Sequence, residues 1–314
     1  MAAQTKRPTK RRAIQHPKQQ RRTTRSRFLL SVAAAGLVLL AAVVALVLLQ
    51  GGSDGPAGAS EGLPATSDYH SLLVSPDDPQ RLLLGTHQGL YSSSDGGRTW
   101  TFAQLQGQDA MNLARPTGST IWAAGHGVLA KSTDGGATWS DVRPDGLPGL
   151  DVHGFAADPE NPRLLYAAIA GKGLYRSDDG GQSFSVVSTD VGPDVMALAV
   201  TPDDRILAGD MRQGLLESRD GGDTWTLRLR AGLMSIAVNP SDPKRVLATG
   251  PGIALSRDGG RTWKPVLDVP DGAGPVAWAP SNANVAYAVG LDRTLYRTAD
   301  GGTTWSEVAA GKVG

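Results

Sequence analysis

The tightest constraint on this chain is a turn that returns six times. Ser93-Ser94-Asp95-Gly96-Gly97-Arg98-Thr99-Trp100 has equivalents at 132–139, 177–184, 218–225, 256–263 and 298–305. The aspartates of these turns are Asp95, Asp134, Asp179, Asp220, Asp258 and Asp300, spaced 39, 45, 41, 38 and 42 residues apart. A period in this range marks an array in which each copy is one supersecondary unit that buries its apolar face only against its neighbours. Such an array has a repeated end and a varied end, and recognition chemistry is expected at the varied one.

The third copy shows how one unit is built. Val152-His153-Gly154-Phe155-Ala156-Ala157 alternates and stops at Asp158-Pro159, a strand closed by a turn. Leu164 to Ala168 reads as a second strand, Leu174 to Ser177 as a third running into the Asp-Gly-Gly turn, and Phe184 to Val187 as a fourth. Four short antiparallel strands in about 41 residues make a propeller blade. The expected fold is therefore all-β, a six-bladed β-propeller of four-stranded antiparallel blades over 67–310, with 311–314 as a C-terminal tail. No blade is split between the ends of the array, so blade one should close on blade six by packing. Within the turn, glycine supplies positive φ without steric cost, and the aspartate accepts hydrogen bonds from the loop's own amides. The following tryptophan opens the outer strand and buries its indole. Each of these roles is structural.

The turns resemble the Asp-box, or BNR, repeat (Ser-x-Asp-x-Gly-x-Thr-Trp) of sialidases, sortilin-type receptors and photosystem II assembly factors. Phe184 and Thr298 are mild departures from the pattern. The resemblance implies the propeller and is similar to that of membrane-anchored bacterial proteins often labelled glycosyl hydrolases. It does not imply one activity, because a single fold hosts many.

Charge divides the chain. Residues 1–27 hold ten Lys and Arg and no acid, which leaves 21 bases against 30 acids, or −9, for the rest. An acidic propeller argues against nucleic acid as a partner. The absence of cysteine excludes disulfides, thiolate metal sites and cysteine nucleophiles. Phe28 to Leu49 is a run of 22 residues broken only by Ser31 and Gly36. At about 1.5 Å per residue it spans about 33 Å, enough for one transmembrane helix. The basic tail should then stay in the cytoplasm, with the propeller extracytoplasmic on a single-pass anchor in the cell membrane. The alternative is a cleaved signal peptide ending near Ala57-Gly58-Ala59, although the run exceeds the usual h-region of about 7–15 residues. Residues 50–66 read as a flexible linker.

The varied face carries first-strand starts and the loops between second and third strands. First-strand starts hold His70, Met111, His153, Met196, Met234 and Gly274; the loops hold His87, His126, Lys172, Met211, Pro251 and Asp292. Outside the N-terminal tail, this accounts for every histidine and methionine of the chain. Asp68, Asp109, Asp151 and Asp194 stand two residues before four of the starts, so each should project with the following His or Met. Imidazole with thioether, and no thiolate, suits copper better than calcium or magnesium. His70, His153, Met111 and Met196 form the sharpest candidate set, with Met234, His87, His126 and Met211 around it. The bland reading is that methionine fills gaps around a tapering channel.

The resemblance to sialidases implies three arginines for the substrate carboxylate, a tyrosine nucleophile activated by a glutamate, and an aspartate acid/base. The expected Arg-Ile-Pro motif is missing, and Glu61, Glu160, Glu217 and Glu307 all lie away from the varied face. Tyr69 beside Asp68, with Asp151 as a second carboxylate, is the remaining hydrolase set. Arg212 and Arg293 could reach the same mouth. The favoured expectation is a ligand-binding module taking a metal ion, a glycan or a protein at the varied face. A glycoside hydrolase stands second, and an assembly scaffold for a membrane complex third.

Overall fold

The computed structural model describes residues 60–66, 68–191 and 193–310. The basic tail, the apolar run 28–49, the linker up to residue 59 and the tail 311–314 lie outside the described residues. Among the described residues, no helix is long and apolar enough to cross a membrane.

Those residues form six antiparallel sheets whose strands run in chain order from hub to rim. The blades cover 71–104, 112–141, 152–188, 195–229, 235–268 and 273–310. In the third, strands occupy Val152–Ala157, Leu165–Ile169, Gly173–Ser177 and Ser185–Ser188, within a residue of the sequence expectation. The second strands are buried along their whole length in blades two to five. Small residues such as Ala123, Ala167 and Ala208 recur there, because both faces of these strands pack on neighbouring blades. Five of the six blades carry a bulge between third and fourth strands. A bulge raises local twist, as a blade turning outward from its hub requires.

Closure is by packing. Leu72, Leu82, Leu84 and Trp100 of the first blade share one buried cluster with Ala279, Val285, Tyr287 and Leu295 of the sixth. Residues 60–66, assigned to the linker by composition, join the propeller: Ser60–Glu61 pairs with Thr99 and Trp100 as a fifth, outermost strand of the first blade. Leu63 is buried in the closing cluster.

The six Asp-box turns are nearly superimposable in their bonding. Asp95 Oδ1 accepts from the amides of Arg98 at 2.9 Å and Thr99 at 3.0 Å, and Oδ2 accepts from the Thr99 hydroxyl at 2.7 Å. The Trp100 indole donates to Gly97 O at 3.0 Å. Bonds from the threonine hydroxyl and amide hold the carboxyls of Asp134, Asp220 and Asp300 down to about 2. At Asp95 and Asp258 burial pushes upward and the same bonds overcome it, again reaching about 2. Asp179 is held well below the usual carboxylate range by Ser183 and Ser177. Thr298 substitutes for serine without loss, bonding Asp300 at 2.9 Å.

Phe184 has no indole to close its turn, and the second blade compensates. Its outgoing loop reaches across so that the Phe184 amide donates to Asp145 O at 2.9 Å and the Asp145 amide donates to Gln182 O at 3.0 Å. Gly146 is required there: its φ is 82°, and a Cβ would lie 2.0 Å from Phe184 O. The extra length of this loop accounts for the 45-residue spacing between Asp134 and Asp179.

Candidate functional site

The first strands surround a channel of about 1240 Å³. At the end opposite the channel mouth it is lined by Pro76, Pro116, Pro159, Pro202, Pro240 and Pro280, one from the turn after each first strand. Proline ends each strand because it offers no amide to extend the ladder. This ring of prolines is a second six-fold signature in the sequence, of which Asp158-Pro159 is one copy.

At the mouth end, His70, Met111, Met196, Met234 and Gly274 line a small cavity of about 10 Å³ together with Tyr69 and Pro275. Five of the six expected first-strand positions thus meet at one neck. His153 is not among them, since its imidazole is engaged elsewhere. Met211 lies apart, 44% exposed on its loop. The Tyr69 ring is buried, its hydroxyl donates to Pro64 O at 2.7 Å, and burial raises its pKa. A tyrosine nucleophile needs the opposite shift and a free oxygen, so this placement gives no support to a catalytic Tyr69.

The histidines associate with aspartates rather than with methionines. His87 Nδ1 lies 2.5 Å from Asp68 Oδ2 and 3.0 Å from His70 Nε2, which is itself 3.3 Å from Asp68 Oδ1. The far nitrogen of His87, Nε2, faces Asp109 Oδ2 at 3.5 Å. The same oxygen lies 2.5 Å from His126 Nδ1. His126 Nε2 then sits 3.4 Å from Asp151 Oδ1 and 3.3 Å from His153 Nε2, and His153 Nε2 is 3.3 Å from Asp151 Oδ1. An unbroken arc of four imidazoles and three carboxylates therefore runs over the first three blades. The rings of His70 and His87, and of His126 and His153, meet edge to face, while His87 and His126 stack at 6.0 Å.

Topology assembles this arc. The aspartates before the first strands of blades one to three and the histidines in the loops of blades one and two lie at the same end of their blades, and adjacent blades interleave them. His87 and His126 each bridge the aspartate of their own blade and that of the next. Asp194 follows a different course, pairing with Arg212 at 3.1 Å. Arg293 donates to Thr66 O at 3.2 Å and so anchors the chain before the first blade.

Burial is graded along the arc. The Asp109 side chain is 9% exposed, whereas His126 and Asp151 are 49% and 55% exposed at the outer end. Burial lowers the His70 pKa, with His87 acting in the same direction and Asp68 against it. Asp68 Oδ1 and Asp109 Oδ1 are buried without a hydrogen-bond partner.

Six four-stranded blades, each with an Asp-box turn between its third and fourth strands, make this chain a BNR-type β-propeller. The family model described as photosynthesis system II assembly factor YCF48 matches residues 67–208, the first three blades and the start of the fourth. Among solved structures, YCF48 from Cyanidioschyzon merolae is 20% identical, with a TM-score of 0.53 over 80% of this chain and 88% of that one. YCF48 bound to D1 peptide is 20% identical, with a TM-score of 0.52 over 81% and 85%. The GH74 enzyme of Niastella koreensis is 17% identical, with a TM-score of 0.51 over 76% of this chain and 46% of that one. At these identities the structural likeness establishes the fold alone. No curated protein matches the sequence.

Proposed function

We propose that this propeller is a binding module of the assembly-factor type, which docks a segment of a protein partner on the mouth face while the apolar run 28–49 anchors it in a membrane. The observation that carries this reading is the contrast between the two ends of the propeller. One end repeats the same six turns; the other gathers every described histidine and methionine, the aspartate arc, and two of the three large apolar side chains exposed among the described residues, Met211 and Leu291. Exposed apolar groups beside charged ones are what a partner-binding patch offers. The match to the YCF48 family model supports the same reading, as does the likeness to YCF48 bound to D1 peptide.

A glycoside hydrolase is less well supported. Its two carboxylates should flank an open substrate bond. Here Asp68, Asp109 and Asp151 face imidazoles and Asp194 faces an arginine. A photo-crosslinking side chain placed at Met211 or Leu291 in the membrane-resident protein should capture a discrete partner, while one at Val186, 56% exposed on the rim of the third blade, should not. Equal capture at all three positions would remove the mouth face as the docking surface. Turnover of fluorogenic glycosides that disappears in Asp68→Asn and Asp151→Asn would replace the binding reading with the hydrolase.

A further inference from the structure

The His-Asp arc has a geometry that hydrogen bonding alone does not explain. Asp68, His70 and His87 form one group with mutually close donor atoms, and His126, Asp151 and His153 form another; His87 and His126 also form a group with Asp109 between them. The first two share no residue. In the second, the three edges between His126 Nε2, Asp151 Oδ1 and His153 Nε2 are 3.4, 3.3 and 3.3 Å. Ligand atoms about 2.0–2.1 Å from a tetrahedral ion stand about 3.3 Å from one another, so this triangle has the size of one face of such a shell. In the first group His70 Nε2 stands 3.0 Å from His87 Nδ1 and 3.3 Å from Asp68 Oδ1, while His87 Nδ1 meets the other carboxylate oxygen, Oδ2, at 2.5 Å, a contact that an ion would replace.

We propose that these two triads are binding sites for divalent first-row transition ions of the zinc type, each with two imidazoles and one carboxylate. Imidazole with carboxylate is a borderline donor set that suits zinc, nickel, cobalt and copper(II). It replaces the imidazole and thioether set that the sequence suggested, because the methionines sit at the channel neck with His70 alone.

Asp109 lies between the triads and unites them. Its Oδ2 faces the nitrogen of His87 and of His126 that points away from each triad. His126 Nδ1–H donates to Asp109 Oδ2 at 2.5 Å and His87 Nε2 faces the same oxygen at 3.5 Å; protons held on these two nitrogens leave the inward nitrogen of each ring with its lone pair free for an ion. This is the carboxylate–imidazole–metal relation by which outer groups orient a ligand and raise its basicity. Asp109 is thus a positioning residue. Its buried Oδ1 has no hydrogen-bond partner, and the buried Oδ1 of Asp68 has only His70 Nε2 near it, at 3.3 Å. With three protein ligands, each ion keeps a fourth position open, and at the second triad that position lies at the exposed end of the arc. The sites stand whether or not a protein docks on this face.

The test is calorimetric titration of the untagged full chain with Zn²⁺, together with the visible spectrum of the Co²⁺-loaded chain. The parent should show tetrahedral-type Co²⁺ bands, and His70→Ala and His153→Ala should each lose one ion relative to it. Asp109→Asn should keep both ions and bind them about 10–100-fold more weakly. Tryptophan fluorescence melts without metal should be unchanged in all three, which separates lost ligation from lost folding. Zinc stoichiometry unaltered in both histidine variants would overturn the sites. Undiminished affinity in Asp109→Asn would overturn the role of Asp109.

Discussion

Each Asp-box aspartate is a small charged side chain that collects amides and hydroxyls at a tight turn, and that single act has a consequence for acid stability. An aspartate held near 2 in the folded chain and titrating at 3.8 without the turn favours folding while ionised. The contribution is present above about pH 4 and is lost as pH falls through about 2. Because five of the six turns carry carboxyls near 2, thermal melting points should drop steeply across that window. Asp95→Asn combined with Asp258→Asn should flatten the drop relative to the parent, and melts at stepped pH would check it.

Blades are the elements, and their interfaces carry polar joints as well as apolar ones. Glu217, on the third strand of the fourth blade, has a side chain only 1% exposed. It receives Arg219 at 2.5 Å, Arg228 at 3.2 Å and Arg205 at 3.6 Å. Arg205 in turn donates to Gly259 O at 2.7 Å, inside the Asp-box turn of the fifth blade. Glu217, which lies away from the varied face, thus supports a joint between two blades. Glu217→Ala leaves Arg205 buried with Asp203 as its remaining carboxylate, and losing a charged hydrogen-bond partner of this kind costs about 1.5–3 kcal/mol. Denaturant unfolding should show a midpoint shift of that size. A shift under about 1 kcal/mol, as an exposed pair would give, would mean that the joint carries no weight.

For the whole molecule, the critical event is ring closure without a shared sheet. Gly97 shows how tight the seam is: at φ 88° its missing Cβ would lie 2.1 Å from Leu295 of the sixth blade and 3.3 Å from Leu82 of the first. Leu82 and Leu295, 213 positions apart, belong to one cluster. In a double-mutant cycle, Leu82→Ala and Leu295→Ala should therefore couple by about 0.5–3 kcal/mol, where distant sites add. Strict additivity would show that the first and sixth blades do not close on each other.

The repeats made the architecture legible before any coordinates. Period, turn residues and alternation are local properties, and each blade folds its own strands into hairpins with neighbours in the chain. The strands of the third blade and closure by packing could be read in this way. Which loops meet across blades is not local. The spacing placed His70, His87, His126 and His153 at one end but could not say that His87 and His126 would each lie between two aspartates, because that depends on how one blade turns against the next. For the same reason Met111, Met196 and Met234 meet at the channel neck with His70, while His153, equivalent to them in sequence, turns to the arc. Composition also left 60–66 in the linker, where burial of Leu63 and pairing of Ser60–Glu61 decide otherwise. The chain by itself determined the blades and their count, since these follow from short-range pattern. Only the tertiary structure decided the arc of imidazoles and carboxylates, since it is made wholly of contacts between blades.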